Sequence, residues 1–181
     1  MKTLIIGFKK YADHESNPSE DVIKSLKRKD VVGCVLDVSY AKVRELPAII
    51  AKEKPDYIIT MNLSPFRHEP AIEQYAYNVI QSPQPDEDGI VINSGVAIEE
   101  DAPHSLNSVL DIYSIQQFLS SRGASLAMSV DPGAWICNIA SFYARLSGIP
   151  SVSLHLPQEK DFPLDEDVEI VEGILEYFEM I

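Results

Sequence analysis

The chain has 181 residues, 45 % apolar and 24 % charged, with 15 Lys and Arg against 28 Asp and Glu, a formal net charge of −13. A chain this long buries roughly 70 % of its unfolded surface, enough for one full core, so a single domain over residues 1–181 is expected. The acidity argues against nucleic acid or an anionic membrane as the main partner, since both are held by clustered Lys and Arg.

Eight of the acids (Asp161, Asp165, Glu166, Asp167, Glu169, Glu172, Glu176 and Glu179) crowd the last stretch, which carries no Lys or Arg. No run approaches the about 18 apolar residues of a membrane span. The N-terminus reads as a strand rather than a signal peptide. Two cysteines, Cys34 and Cys137, give no disulfide framework and point to a reducing cytoplasm.

Short apolar runs alternate with helix-period segments, the pattern of an α/β domain. Thr3–Phe8 is a first strand, apolar throughout as a strand covered on both faces should be. Asn17-Pro18-Ser19-Glu20 opens a helix, with Asn17 as N-cap, Pro18 at the first helical position and Glu20 as the reciprocal capping residue. Its buried stripe is Val22, Ile23 and Leu26. A strand over 31–39 and a helix with Ile49 and Ile50 inward follow, with Pro47 starting or kinking that helix. Residues 57–62 form a third strand. Residues 71–80 fit either a strand or a short helix, and 83–89 is a surface loop. Apolar positions Val109, Leu110, Ile112, Tyr113 and Leu119 suggest a helix over 107–121. A strand over 124–130, a helix over 134–146 and a strand over 151–156 come next. The last helix starts near Glu166, capped by Asp165, with Val168, Val171, Ile174, Leu175 and Phe178 inward and its acids on a solvated face.

The most informative segment runs from Ser129 to Asn138, where a strand ends, Pro132-Gly133 turns the chain and a helix begins around Cys137. A thiol at a helix start faces unpaired backbone N–H groups and the positive end of the helix dipole, both of which favour thiolate. Strand carboxyl ends in an open α/β sheet are also where ligands bind. Burial as an inert core thiol is the ordinary fate of a free cysteine, and Cys34, inside an apolar strand, reads that way. His14, His68 and His104 lie in polar or Pro-adjacent segments, whereas His155 closes the strand after Cys137 and can share its crevice. A strand-end histidine is otherwise a hydrogen-bonded surface residue. Glu73 is a carboxylate in apolar company and wants a partner. No His or Cys pairs stand at metal-ligand spacing, and no Gly-rich phosphate loop is present.

On these residues the chain resembles the pyroglutamyl peptidase I (pyrrolidone-carboxylate peptidase) family of cysteine exopeptidases, nearly end to end. Cys137-Asn138 after Pro132-Gly133 matches the nucleophile segment, which normally reads Ala-Gly there. His155 in His-Leu-Pro matches the family's His-Val-Pro, and Glu73 matches the glutamate that follows Pro-x-Arg, here Pro65-Phe66-Arg67. Asn78 and the Pro85-Asp86-x-x-Gly89 loop keep their places. The resemblance implies a three-layer α/β/α fold with a mixed central sheet, phosphorylase/hydrolase-like in type. It also implies a Cys137–His155–Glu73 triad that removes N-terminal pyroglutamate, with Phe8, Tyr11, Arg67 and Asn138 at the substrate. It calls for no cofactor or metal, and allows a homo-oligomer acting on a small peptide or cyclic amide.

The departures are specific. Gly-Phe-x-Pro-Phe-Gly-Gly stands here as Gly7-Phe8-Lys9-Lys10-Tyr11-Ala12-Asp13, so Tyr11 replaces one of the two phenylalanines that line the ring pocket. Gly-Leu-x-Pro-Gly-Arg stands as Asn62-Leu63-Ser64-Pro65-Phe66-Arg67, and Phe66 cannot follow a glycine's positive φ cheaply, so that turn should change shape. The family's arginine before Ile-Pro-Asp falls at Pro83, and the segment between Cys137 and His155 is short. A non-catalytic or substrate-shifted binding protein on the same fold therefore stays open as the alternative. A flavodoxin-like phosphate-binding domain fits the βα alternation but lacks the loop.

Overall fold

The computed structural model describes residues 1–181. Strands β1 (Thr3–Phe8), β2 (Val31–Leu36), β3 (Tyr57–Leu63), β4 (Ala71–Glu73), β9 (Ala127–Ser129) and β10 (Ser151–Leu156) form one sheet in the order β2-β1-β3-β10-β4-β9. The first four neighbours run parallel, and β4 meets β10 antiparallel, so the sheet is mixed. The remaining strands pair as small antiparallel ribbons, β5 (Tyr75–Tyr77) with β8 (Ser105–Asn107) and β6 (Ile80–Ser82) with β7 (Ile92–Val96).

Side-chain alternation along the strands sorts the helices into two layers. Leu4, Ile6 and Phe8 of β1 pack with α2 (Tyr40–Val43), α3 (Leu46–Glu53) and α5 (Ile136–Leu146). Ile5 of the same strand packs on the opposite face with α1 (Pro18–Ser25), α4 (Ile112–Ser120) and α6 (Leu164–Met180). This is the three-layer α/β/α architecture expected. Gly7 admits the close approach of α1: a Cβ there would meet Ser19 O at 2.9 Å. No helix is long and apolar enough to cross a membrane.

Several local expectations are corrected. Glu20 pairs with Lys24 at 2.9 Å instead of closing a reciprocal cap, while Asn17 caps α1 by accepting from Ser19 N. The segment 71–80 is neither one strand nor a helix but pieces of β4, β5 and β6. Helix α4 begins only at Ile112, capped by Asp111, and Val109 and Tyr113 are exposed; Ile112, Ile115 and Leu119 make its buried face. Helix α6 starts at Leu164, so Asp165 lies inside its first turn. Its acids are not all solvated: Asp167 is fully buried, neither carboxylate oxygen has a hydrogen-bond partner, and burial, then the Glu166 charge, pushes its pKa up to about 8. Cys34 is half-buried, because β2 is an edge strand.

Candidate active site

The carboxyl ends of β3 and β10 and the amino end of α5 surround a groove of about 710 Å³. Residues on one strand parity face α5. Thr60 and Ser153 hydrogen-bond each other at 2.9 Å on that face, and one step further along stand Asn62 and His155, directly paired across β3 and β10. Cys137, at the second position of α5, lines the groove with His155. Its Sγ–H donates to Pro132 O at 3.5 Å. The turn before it relies on Gly133, whose φ of +73° is cheap only for glycine. Trp135 takes the N-cap position of α5 with no side-chain cap, which leaves first-turn N–H groups without that partner.

Glu73 reaches the same point from the antiparallel strand. Ala71 lies directly opposite His155, and Glu73, two residues on, projects from the same face. His155 Nδ1–H donates to Glu73 Oε1 at 2.7 Å, with Glu73 1 % exposed. Arg67 Nη2 lies 3.4 Å from the same oxygen and donates to Ser129 Oγ at 2.9 Å. Arg145, buried in α5, donates to the Glu73 carbonyl at 2.7 Å and to Leu106 O at 3.1 Å. Burial lowers the Arg145 pKa to about 10, opposed by the Glu73 charge. Burial by itself pushes the His155 pKa down. Hydrogen bonding and charge from Cys137 and Glu73 outweigh that and raise it to about 9, which favours an imidazolium beside the thiol.

Tyr11 forms an aromatic wall, with Trp135 edge-on at 5.3 Å and His14 edge-on at 4.9 Å. Burial, then the Cys137 charge, lifts the Tyr11 hydroxyl to about 12, so it remains a phenol. Phe8 lies deeper, in a small recess of about 30 Å³ that shares Tyr11, Leu63, Trp135 and Cys137 with the groove. Phe66 is 92 % exposed at the groove's rim and has no positive φ, so the turn does without the left-handed backbone that a glycine would adopt cheaply. Asn138 is fully buried and faces no groove. It accepts from Tyr77 N and donates to Tyr77 O and Val79 O, tying α5 to the β5–β6 segment. Pro83 is exposed, and its neighbour Gln84 lines the groove.

Residues 1–158 match the pyroglutamyl peptidase family. The chain belongs to that family. Pyrrolidone-carboxylate peptidase of Thermococcus kodakarensis is 30 % identical over 177 residues, covering 92 % of this chain and 85 % of the relative. The enzyme of the same name from Oceanobacillus iheyensis is 30 % identical over 184 residues, covering 92 % and 89 %. A mutant pyrrolidone carboxyl peptidase from the hyperthermophile Pyrococcus furiosus superposes with a TM-score of 0.86 at 27 % identity, covering all of both chains. This family member has three site residues that sequence reasoning did not single out. Trp135 was visible as the only tryptophan, beside Cys137. His14 and Gln158, joined at 3.0 Å between Nδ1 and Nε2, close one end of the groove from two loops and carry no sequence signal. A separate hollow of about 660 Å³ between α3 and the end of α5 is lined by Ile50, Leu146 and Ile149 and contains neither cysteine nor histidine.

Proposed function

We propose that this chain is a cysteine peptidase that hydrolyses the amide bond after an N-terminal pyroglutamyl residue, with Cys137, His155 and Glu73 as its working groups. The observation that carries the reading is the 2.7 Å contact of buried Glu73 with His155, which lines the groove together with Cys137. Glu73 accepts from Nδ1–H and so fixes the tautomer, leaving Nε2 for the thiol. His155 takes the Cys137 proton, and Sγ attacks the pyroglutamyl carbonyl carbon. The C–S bond forms as the carbonyl π pair moves to oxygen, where uncapped N–H groups at the α5 start stabilise the oxyanion. His155 then gives its proton to the amine nitrogen as the C–N bond breaks, leaving a thioester. Water, deprotonated by His155, attacks that carbonyl; the C–S bond breaks, the proton returns to sulfur, and pyroglutamate leaves.

The other residues act around this core. Phe8 and Tyr11 flank the ring, Arg67 steadies Glu73 from the groove side, and Asn138 is a positioning residue that fixes α5. The free thiols of Cys34 and Cys137 support a reducing cytoplasm, and the family resemblance supports a homo-oligomer. Hydrolysis of a fluorogenic pyroglutamyl amide tests the assignment. Cys137→Ala should abolish turnover and keep the wild-type melting curve, while Cys34→Ala should keep most activity. Full activity in Cys137→Ala refutes it. One observation favours a substrate-shifted reading, the small size of the recess behind Tyr11 and Trp135. No turnover with a thiol that iodoacetamide still alkylates at neutral pH would decide for it.

A further inference from the structure

The recess beside Cys137 is walled by Phe8, Val38, Leu63 and Ile136, and two of its polar side chains have buried atoms with nothing to bond. Trp135 Nε1 is one, without a partner at hydrogen-bond distance although it faces the Tyr40 hydroxyl as a donor. The other is Asn62, only 4 % exposed, whose Oδ1 has no hydrogen-bond partner. Asn62 sits on β3 directly across from His155, on the face that looks toward α5. Its neighbour Thr60, on the same face, is fully satisfied by Ser153. A buried amide oxygen left unpaired is destabilising, and a chain that keeps one beside its nucleophile has a place for a ligand group there.

The chemistry of that ligand follows from the carboxamide. Asn62 presents an acceptor and a donor side by side. A five-membered lactam is held as a cis amide, so its N–H and C=O share one edge and offer the same pair reversed. The ring methylenes match the apolar walls. We propose that Asn62 is a specificity-determining residue that reads the lactam edge of the substrate ring through two antiparallel hydrogen bonds, Asn62 Oδ1 accepting from the ring N–H and Nδ2 donating to the ring carbonyl. This rests on the pyroglutamyl reading above and adds the group that recognises the ring's polar edge. The recess is tight, so ring entry requires the Tyr11–Trp135 edge contact to open.

The test compares wild type with Asn62→Ala and the isosteric Asn62→Asp, which keeps shape but offers no donor. kcat/KM for a fluorogenic pyroglutamyl amide should fall about 10- to 100-fold in both variants. In parallel, 2-pyrrolidone, N-methyl-2-pyrrolidone and cyclopentanone are titrated as protectants of Cys137 against iodoacetamide. Wild type should be protected by 2-pyrrolidone at concentrations at least about 10-fold lower than the other two, which lack the N–H, and both variants should lose that preference. Wild-type turnover with kcat/KM within about three-fold in both variants, or a lactam preference that survives them, overturns the role of Asn62 and leaves the peptidase reading standing. A wild type that neither turns over the amide nor is protected by 2-pyrrolidone overturns that reading, and the role of Asn62 with it.

Discussion

Replacing Glu73 with Gln keeps the shape of the side chain and removes its charge, and the structure says where the effect should appear. His155 is raised from an ordinary 6.5 to about 9 although burial opposes the charged ring, so Cys137 and Glu73 together more than offset desolvation. That lift corresponds to about 3 kcal/mol in favour of the imidazolium. Without the Glu73 charge, Cys137 alone opposes burial, and the ring should titrate lower than in wild type. The sign for stability is fixed as well. The folded chain holds a proton that the unfolded chain releases above about 6.5, so the stabilisation from this pair is complete below 6.5 and is lost as pH rises through about 9. Glu73→Gln should weaken that pH dependence, leaving the part that Cys137 supports. It should also lower kcat by about 10² to 10⁴, because a Gln amide can donate to Nδ1 and select the wrong tautomer. The assay is an NMR titration of the His155 ring, run beside pH profiles of pyroglutamyl amide hydrolysis. A midpoint that stays near 9 in the variant would refute the account of how Glu73 supports the ring.

Two further substitutions test the scaffold. Asp167→Asn should stabilise the protein by about 1–3 kcal/mol near pH 8, since a buried carboxyl without partners favours its neutral form. Because the folded pKa is raised, Asp167 contributes fully to stability below 3.8 and loses that contribution as pH rises through about 8. The advantage of Asn should therefore vanish near pH 4 in urea melts, and a variant no more stable than wild type at pH 8 would contradict the assignment. Ala12 holds a φ of +50°, a left-handed backbone where the related family motif has glycine. Ala12→Gly should leave the fold intact and change stability by between zero and about 1 kcal/mol in its favour, read by thermal unfolding; a clear loss would show that the Ala12 methyl packs usefully.

The strands that build the centre of the sheet were legible because both of their faces are covered. β1 and β3 read as mainly apolar runs in sequence and β10 as an apolar residue at every second position, and all three lie between two helical layers. The three-residue strands β4, β5, β6 and β8 were not, since three residues are too few for any period to register, whereas β9 fell inside the strand expected over 124–130. Val109 and Tyr113 misled for a related reason: apolar residues before and on the outer face of α4 kept the helical spacing yet remain exposed. Asp167 escaped notice because charge predicts solvation on average, and only the packing around α6 decides an individual case. Cys137, His155 and Glu73 could be chosen from the chemistry around each residue. Trp135, His14 and Arg145 act through tertiary contacts with Tyr11, Gln158 and the Glu73 carbonyl, which local sequence does not carry.

The direction of β4 explains how so short a segment can position a carboxylate. In an antiparallel pair, directly opposed residues share a face, so Ala71 and His155 point the same way and Glu73 follows two residues on. The diagonal span, about 7–8 Å between backbones, suits a long carboxylate reaching sideways, not a residue placed directly opposite. Ala71, fully buried, leaves the imidazole room to lean toward Glu73. A one-residue slip of β4 would send Glu73 to the opposite face, among Ile72, Leu154 and Leu156. Register at β4 is in turn held by β9, whose Ser129 pairs with Glu73 and accepts from Arg67. The arginine therefore links the loop after β3, the edge of the sheet and the carboxylate. The geometry of His155 thus depends on the pairing of three strands, which is why a site assembled from distant segments can still hold its ring to a single orientation.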